Sequence, residues 1–369
     1  MRSALEIAAA VRGGTLSAVA VAEDALARIA AGNDAVRAVT RVLRDRALAE
    51  AVAVDAVVAD GGDPGPLAGV PYGVKDLFDV EGLPTTAGAA MLADAAPAAR
   101  DAEAIERMRA AGAVLVACAN MDEFAYGFAT VNATYGTTCN PHDPARLAGG
   151  SSGGSAAMVA SGMVPVSLGS DTNGSIRVPA ALCGLYGLKP THGDLPMAGV
   201  YPFVDSFDDI GPVASNLADL EAVWRVLHTH RHSDESQDPE SRTASFVALD
   251  PGMRRDDVGV AVLGGWFSRN VCGELSEAIA AIAAHLGGLE TVELPEVDRA
   301  RSAAFLMTAA EGGARHLPAL RARAMDFDPA TRDRLIAGAM LPAAHYLAAR
   351  AFRETFAGAA ARLFERYDV

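Results

Sequence analysis

The fold of this chain is decided by residues 148–191, which read AGGSSGGSAAMVASGMVPVSLGSDTNGSIRVPAALCGLYGLKPT. Two turns rich in glycine and serine, Gly149–Ser155 and Gly169–Ser175, flank residues that predict a helix and then a buried apolar strand, Met163–Leu168. Glycine tolerates positive φ and close backbone approach, so such turns can fold tightly and direct several N–H groups at one point. The stretch therefore predicts a site for acyl chemistry.

Helix, strand and glycine turn alternate from the N-terminus to residue 191, which predicts an α/β fold with a largely internal mixed sheet. The apolar spacing predicts helices at Ser3–Val11, Ser17–Ala31, Arg44–Ala59, Asp101–Ala111, Asn216–Val226 and Gly273–Leu286, and a mostly helical stretch over residues 299–364. It predicts extended segments or strands at Ala35–Thr40, Leu67–Val74, Ala113–Ala117, Met163–Leu168, Val258–Leu263 and Thr291–Leu294.

Charge and cysteine content exclude several classes of function. Of 369 residues, 31 are Lys or Arg and 46 are Asp or Glu, and the net charge of −15 argues against autonomous binding to nucleic acid or anionic membranes. The four cysteines are widely spaced, and Arg2 and Glu6 interrupt an N-terminus that has no apolar core. We therefore expect no signal peptide, no membrane span and a cytoplasmic location.

Lysine is rare in this chain. Only Lys75 and Lys189 are lysines, although arginine is common. Arginine cannot lose its proton in a protein, whereas a desolvated lysine can. Lys75 follows the apolar segment GVPYGV, so it is a candidate general base, and a solvated surface lysine is the alternative.

A hydrolase of amides that uses no histidine needs a hydroxyl nucleophile, a base and N–H groups that face the developing oxyanion. Ser175 precedes a predicted helix start, and the amides of Thr172, Asn173, Gly174 and Ser175 itself are the predicted oxyanion hole. Lys75 would act through a serine of the other turn. Its usual pKa near 10.4 must then fall by about three units, which costs about 4 kcal/mol and requires a dry site.

Three ordered motifs resemble the amidase signature family. They are the Gly-Gly-Ser-Ser-Gly-Gly-Ser turn, the Asp-x-x-Gly-Ser-Ile-Arg segment that begins at Asp171, and Cys-Gly-x-x-Gly-Leu-Lys-Pro-Thr from Cys183. The resemblance implies the family fold, a central mixed twisted sheet covered by helices on both faces. It also implies hydrolysis of an amide C–N bond.

The family uses a Ser–cis-Ser–Lys triad, and matching motif positions carry its roles to this chain. Lys75 resembles the base, Ser151 the cis-serine and Ser175 the nucleophile. Ser152 resembles the second serine that supports the triad, and Arg177 resembles a supporting arginine.

Two branches of the family resemble different parts of the sequence. Asn120–Ala125 and Asp171–Arg177 are similar to the glutaminase subunit of the tRNA-dependent amidotransferase. Glu123–Gly136, Asn173 and Gly264–Phe267 look more like the 1-carboxybiuret hydrolase subunit of cyanuric acid breakdown, the branch we favour. This branch implies a small urea-like amide as substrate and a small partner protein.

The resemblance implies that an acyl-enzyme forms, that ammonia is released, and that no metal or organic cofactor is needed. The expected partners are the amide substrate, water and a small partner subunit in a homo- or hetero-oligomer. Tyr126, Asn132 and Tyr135 are candidate pocket residues. A subunit that supplies ammonia only in a complex and an inactive scaffold are the alternative functions.

We predict a single domain over residues 1–369, with a catalytic core over about 60–215, a surface loop over about 228–245 and a cover of strands and helices over 246–369. His228, His230 and His232 alternate in the loop, which we interpret as a surface segment rather than a metal site. Family members continue past this endpoint into an apolar strand, so the C-terminal part of the domain is expected to be missing.

Overall fold

The computed structural model describes residues 2–228, 259–287 and 289–367. These residues form eleven α-helices and twelve β-strands. The helices are α1 Ala4–Arg12, α2 Ala18–Val36, α3 Arg44–Ala59, α4 Glu103–Ala110, α5 Gly153–Ala160, α6 Arg177–Leu182, α7 Leu217–His228, α8 Gly273–His285, α9 Val297–Arg323, α10 Pro329–Ala339 and α11 Ala343–Ala361. The strands are β1 Val39–Val42, β2 Pro71–Lys75, β3 Val114–Ala119, β4 Val131–Asn132, β5 Gly136–Thr137, β6 Cys139–Asn140, β7 Asp143–Leu147, β8 Val166–Asp171, β9 Tyr186–Gly187, β10 Asp209–Ala214, β11 Ala261–Leu263 and β12 Glu290–Val292.

The chain divides into two compact units. The first comprises Met1–Glu235 and Arg315–Ile336 and contains the largest sheet, and the second comprises Ser236–Ala314 and Ala337–Val369 and contains the parallel pair β11–β12. Two compact units can belong to one domain, so the single domain over residues 1–369 stays a prediction.

The sheet of the first unit has six strands in the order β1-β3-β2-β8-β10-β9. Strands β3, β2 and β8 are parallel, and the other pairings are antiparallel. Every residue of β2, β3, β8 and β10 is buried, so both faces of the sheet are covered. Helix α5 packs on β8 and β2, α3 packs on β3, and α7 packs on β10. The predicted α/β fold with a mixed internal sheet is confirmed.

The sheet register brings the predicted base next to the second glycine turn. Parallel pairing joins Tyr72 to Val166 and Val74 to Leu168, so β2 and β8 end at the same edge. Lys75 is the last residue of β2, and β8 ends at Asp171. Functional groups of α/β proteins collect at this carboxyl edge of parallel strands.

Two predicted strands are wrong in their boundaries: Met163–Leu168 is replaced by β8 at Val166–Asp171, and Ala35–Thr40 by a shorter strand. The segment Ala35–Thr40 was expected to be extended, but α2 continues to Val36 and β1 starts at Val39. Arg37 adopts a left-handed conformation with φ 51° and ends the helix, and the Asn33 side chain bonds both the N–H and the C=O of Val39. This local cap, which apolar spacing does not reveal, moves the boundary.

The last described residues do not form a strand. After α11 the chain continues in turns, in which Leu363 N–H donates to Ala360 O at 2.9 Å and Tyr367 N–H donates to Leu363 O at 3.0 Å. Among the residues that the structure describes, no helix on its own has the length and apolar content to span a membrane, and α10 and α11 meet that test only as a bent pair.

The predicted surface loop lies almost entirely outside the described residues. His228 is the last residue of α7, whereas His230 and His232 fall outside the described ranges. Within those ranges, no group of three or more His, Cys, Asp or Glu side chains could hold a metal ion.

Candidate active site

Lys75 is completely buried at the end of β2. Its Nζ donates a hydrogen bond to Ser151 Oγ at 2.6 Å and another to Ser170 Oγ at 2.8 Å. Ser151 is fully buried, and Ser170 is nearly so. The amine therefore reaches one hydroxyl in the first glycine-rich turn and one near the end of β8.

The electrostatic environment of Lys75 suits a base. Burial lowers the pKa of Lys75 from 10.5 to about 7, and the negative charges of Asp122, Asp171 and Asp208 oppose the shift in that order. A substantial fraction of the amine is neutral at physiological pH, which a proton acceptor requires.

The first turn carries Ser151 and leads into α5. Its Gly150–Ser151 peptide bond is cis. Ser152 N–H donates to Ser175 O at 3.1 Å, and Ser152 Oγ donates to Ser170 O at 3.0 Å. Ser152 therefore joins the first turn to both ends of the second.

The second turn is organised by the buried carboxylate of Asp171. The N–H groups of Gly174 and Ile176 donate to it at 2.6 and 3.1 Å, and the Arg177 guanidinium donates twice, at 2.9 and 3.0 Å. Burial alone would raise the pKa of Asp171, but the hydrogen bonds and charge of Arg177 and the two amides outweigh it and lower the pKa below its usual value.

Ser175 lies in this turn and is 3% exposed. The turn residue before it, Gly174, has a φ of 125°, which favours glycine. The Gly174 N–H already donates to Asp171, so an oxyanion contact from this amide would have to replace that bond. The predicted oxyanion hole stays a prediction.

A second buried carboxylate, Asp122, lies beside the first turn. It accepts hydrogen bonds from the amides of Ala129, Thr130 and Val131 at 3.2, 2.9 and 3.2 Å. Thr130 Oγ1 in turn donates to Ser151 O at 3.4 Å and accepts from a backbone amide of the same turn, Gly153 N–H, at 3.0 Å. Sequence reasoning did not identify Asp122 or Thr130 as part of the site.

A family model described as Amidase matches residues 20–369. The chain belongs to the amidase family. It is accordingly an amidohydrolase that acts on C–N bonds, and the resemblance noted in the sequence is confirmed. The expectation that the C-terminal part of the family domain is missing is not supported, because the family model matches as far as residue 369.

Individual relatives agree with the family. The amidase is 45% identical over 370 aligned residues to AtzE, a 1-carboxybiuret hydrolase subunit of Pseudomonas sp. (strain ADP), and the match covers 99% of this chain and 79% of the relative. It is 46% identical over 252 residues to a glutamyl-tRNA(Gln) amidotransferase subunit of Chloroflexus aurantiacus, and that match covers 68% of this chain and 52% of the other protein.

Solved structures give the same fold. One described as "an unexpected vestigial protein complex" that reveals the origins of an s-triazine catabolic enzyme superposes with a TM-score of 0.94 and 45% identity over 99% of this chain and 80% of the other. A bacterial aryl acylamidase of the amidase signature family superposes with a TM-score of 0.84 and 27% identity, covering 99% of this chain and 78% of the other.

Of the predicted pocket residues of this amidase, Tyr126 lies in an aromatic and cationic cluster. Its ring centroid is 4.8 Å from that of Phe203, and the Arg334 guanidinium carbon lies 4.5 Å from the Tyr126 ring centroid. Phe203 N–H donates to Asp208, which also accepts from Thr172 Oγ1 of the second turn at 2.6 Å. Tyr126 is thus connected to the second turn through two neighbouring residues.

Asn132 has a structural role in the amidase. Its Nδ2 donates to Gly88 O at 2.7 Å and Met121 O at 2.9 Å, and its Oδ1 accepts from the amides of Thr134 and Tyr135. A side chain whose donor and acceptor are both engaged has little capacity left for a substrate, and the predicted binding role stays a prediction. Tyr135 is half-buried beside it.

Two further groups of the amidase site were missed. Ser170 is the second hydroxyl on Lys75, and Asp208 faces Lys75 from the segment before β10. Ser170 lies in the quoted stretch. Because side chains alternate between the two faces of a strand, extending the predicted strand past Leu168 could have identified Ser170 as a site residue. Asp208 is remote in sequence, and only the pairing of β10 with β8 brings it near.

Proposed function

We propose that this amidase uses Ser175 as nucleophile, Ser151 as proton relay and Lys75 as base. The observation that carries the proposal is the buried Lys75 amine, whose pKa is lowered to about 7 and whose Nζ lies 2.6 Å from Ser151 Oγ. A neutral amine at this distance can accept a proton from a hydroxyl.

In the proposed reaction, neutral Lys75 takes the proton of Ser151 while Ser151 takes that of Ser175. The Ser175 oxygen attacks the amide carbonyl, and the turn amides of residues 172–175 stabilise the oxyanion. The proton returns along the same relay to the leaving nitrogen, the C–N bond breaks, and an acyl-enzyme and ammonia result. Water then attacks the ester carbonyl, and its proton follows the same relay.

Ser152 and Arg177 fix the positions of the two turns relative to each other. Ser152 bonds the carbonyls of Ser175 and Ser170. Arg177 neutralises Asp171, which fixes the turn that presents Ser175. Both roles require no contact with the substrate.

We propose a small urea-like amide such as 1-carboxybiuret as substrate. The support is the 45% identity to the 1-carboxybiuret hydrolase subunit over 99% of this chain. A cation over the ring of Tyr126 suits a substrate that carries a carboxylate, and the described residues offer Arg334 no carboxylate at ion-pair distance. A cytoplasmic location and an oligomer with a small partner subunit belong to this proposal.

The decisive experiment measures ammonia released by the purified chain from 1-carboxybiuret, biuret, allophanate, glutamine and an aryl amide. We expect release from a urea-type substrate and its loss in Ser175→Ala. Ser161→Ala, an exposed serine at the end of α5, is the matched control that should retain activity. Turnover by Ser175→Ala equal to that of the control would refute the nucleophile.

A second candidate function is an ammonia-supplying glutaminase subunit. Its support is the 46% identity to the glutamyl-tRNA(Gln) amidotransferase subunit, which extends over only 68% of this chain. Release of ammonia from glutamine alone, or only after a partner subunit is added, would favour this candidate over the first.

A further inference from the structure

Three buried carboxylates face Lys75, and they differ in what compensates their charge. Asp171 is paired with the guanidinium of Arg177. Asp208 and Asp122 are held by hydroxyl or amide hydrogen bonds, and among the described residues neither has a cation at ion-pair distance. Asp122 is the one whose charge acts most strongly on Lys75.

Asp122 also touches the peptide that precedes Ser151. A Cβ placed on Gly150 would lie 2.3 Å from Asp122 Oδ2, and 2.6 and 2.7 Å from the amide nitrogens of Ala129 and Thr130. The carboxylate and two of its amide donors therefore pack directly against the backbone of the first turn.

The segment that Asp122 binds has an unusual backbone. Phe124, Ala125 and Thr130 have φ values of 53°, 59° and 51°, a region that residues with a side chain rarely adopt. Such conformations persist only when the surroundings hold them. At residues 129–131 the backbone is stabilised by three amide hydrogen bonds to the Asp122 carboxylate.

We infer that Asp122 is a positioning residue with two tasks in this site. Its amide hydrogen bonds fix Thr130 against the backbone of Ser151, and its uncompensated charge faces the Lys75 amine. Only the effect on turnover rests on the proposed function, because the charge on Lys75 can be measured without turnover.

The charge of Asp122 has a defined effect on proton affinity. Burial lowers the pKa of Lys75, while Asp122, Asp171 and Asp208 raise it, with Asp171 partly neutralised by Arg177. Removal of the Asp122 charge therefore lowers the pKa of Lys75 further. The Lys75 amine is then neutral at a lower pH, but its affinity for the proton of Ser151 is also lower.

The rarity of lysine makes the measurement direct. With lysine labelled with ¹³C at Cε, the chain gives two lysine signals, and Lys189→Arg assigns them. We would titrate Lys75 by NMR in the wild type, in Asp122→Asn and in Thr130→Val, each in the Ser175→Ala background to exclude turnover. The same single variants, with Ser175 retained, are assayed for ammonia release.

We expect Asp122→Asn to lower the Lys75 midpoint by about one pH unit, the size of effect that one nearby charge has in a buried site. Thr130→Val removes the contact with Ser151 but keeps the charge, so it should lower turnover about tenfold without moving the midpoint. If Asp122→Asn lacks the native circular dichroism spectrum, Asp122→Ser replaces it with the same expected shift.

An unchanged midpoint in a folded Asp122 variant would overturn the electrostatic task. Wild-type turnover in Thr130→Val would overturn the positioning task. A midpoint shift in a chain that hydrolyses none of the substrates would support the charge of Asp122 while counting against the proposed function, so the two failures are distinguishable.

Discussion

Each of the two serine-bearing turns has a buried aspartate, Asp171 within the second turn and Asp122 beside the first, but the charges of the two aspartates are compensated differently. Asp171 binds the amides of its own turn and is paired with Arg177, and its pKa is lowered. Asp122 binds only amides, and burial raises its pKa although those amides and Lys75 oppose the shift. A carboxylate can therefore stabilise a local backbone conformation with or without adding net charge beside the base.

The largest effect should follow from removing the amine that both turns approach. Lys75→Met keeps the length and apolar stem of the side chain but has no proton acceptor, so we expect kcat to fall on the order of 10⁴-fold. Steady-state ammonia release measures it, and Lys189→Arg is the matched control. A fall of less than tenfold would show that another group is the base.

The pH dependence of stability should separate Lys75 from other groups. The pKa of Lys75 is about 7 in the folded state and near 10.5 in the unfolded state, so between these values the unfolded chain binds more protons. The free energy of unfolding contributed by Lys75 therefore rises with pH across this window, by at most about 1.4 kcal/mol per pH unit, and is lowest below pH 7.

Urea denaturation from pH 6 to 10 measures this rise. The stability advantage of Lys75→Met over the wild type should be greatest at pH 6 and should shrink as the pH increases. A difference that does not depend on pH would mean that the folded-state pKa of Lys75 is not lowered.

Removal of the carboxylate that organises the second turn should lower the free energy of unfolding. Asp171→Ala leaves the amides of Gly174 and Ile176 without their acceptor and Arg177 without its partner, so we expect a loss of about 3 kcal/mol in the free energy of unfolding. Urea denaturation at pH 7 measures the loss. Asp143→Ala, which removes an exposed ion pair with Arg146, should change it by less than about 0.5 kcal/mol.

The smallest expected effect is a rise in the pKa of Lys75 when Arg177 is removed. Arg177→Met exposes Lys75 to an uncompensated Asp171, so the Lys75 midpoint should rise by about half a pH unit, a small shift because Arg177 is half-exposed to solvent. This is opposite to the shift expected for Asp122→Asn. Lysine NMR measures both, and a fall in Arg177→Met would refute the compensation.

Sequence reasoning identified the elements whose signals are local. A lysine in a chain dominated by arginine pointed to Lys75, and the second glycine-rich turn pointed to Ser175, whereas Ser151 was assigned through the resemblance to the family. The alternation of helices, strands and turns was sufficient to predict the mixed sheet. Helix α3 has the predicted bounds of Arg44–Ala59. These features depend on residue type and spacing within a few turns of chain.

The missed residues depend on contacts between distant segments. Asp122 acquires its role from a loop in which Phe124 and Thr130 adopt left-handed backbone conformations, which their residue types do not predict. Asp208 acquires its role from the register of β10 against β8. Asn132 was named as a pocket residue because it lies in the stretch that resembles one branch of the family, and only the four hydrogen bonds of its carboxamide reveal a structural role.

The complete burial of β2, β3 and β8 has a consequence for hydrogen exchange. Backbone amides in such strands exchange only when the whole unit opens, whereas loop amides exchange through small local fluctuations. Lys75 belongs to the slowly exchanging class, whereas residues 126–130 connect a short 3₁₀ helix, Glu123–Ala125, to β4 and belong to the loops. The dry surroundings that lower the pKa of Lys75 should therefore persist through the local fluctuations of the loops around it.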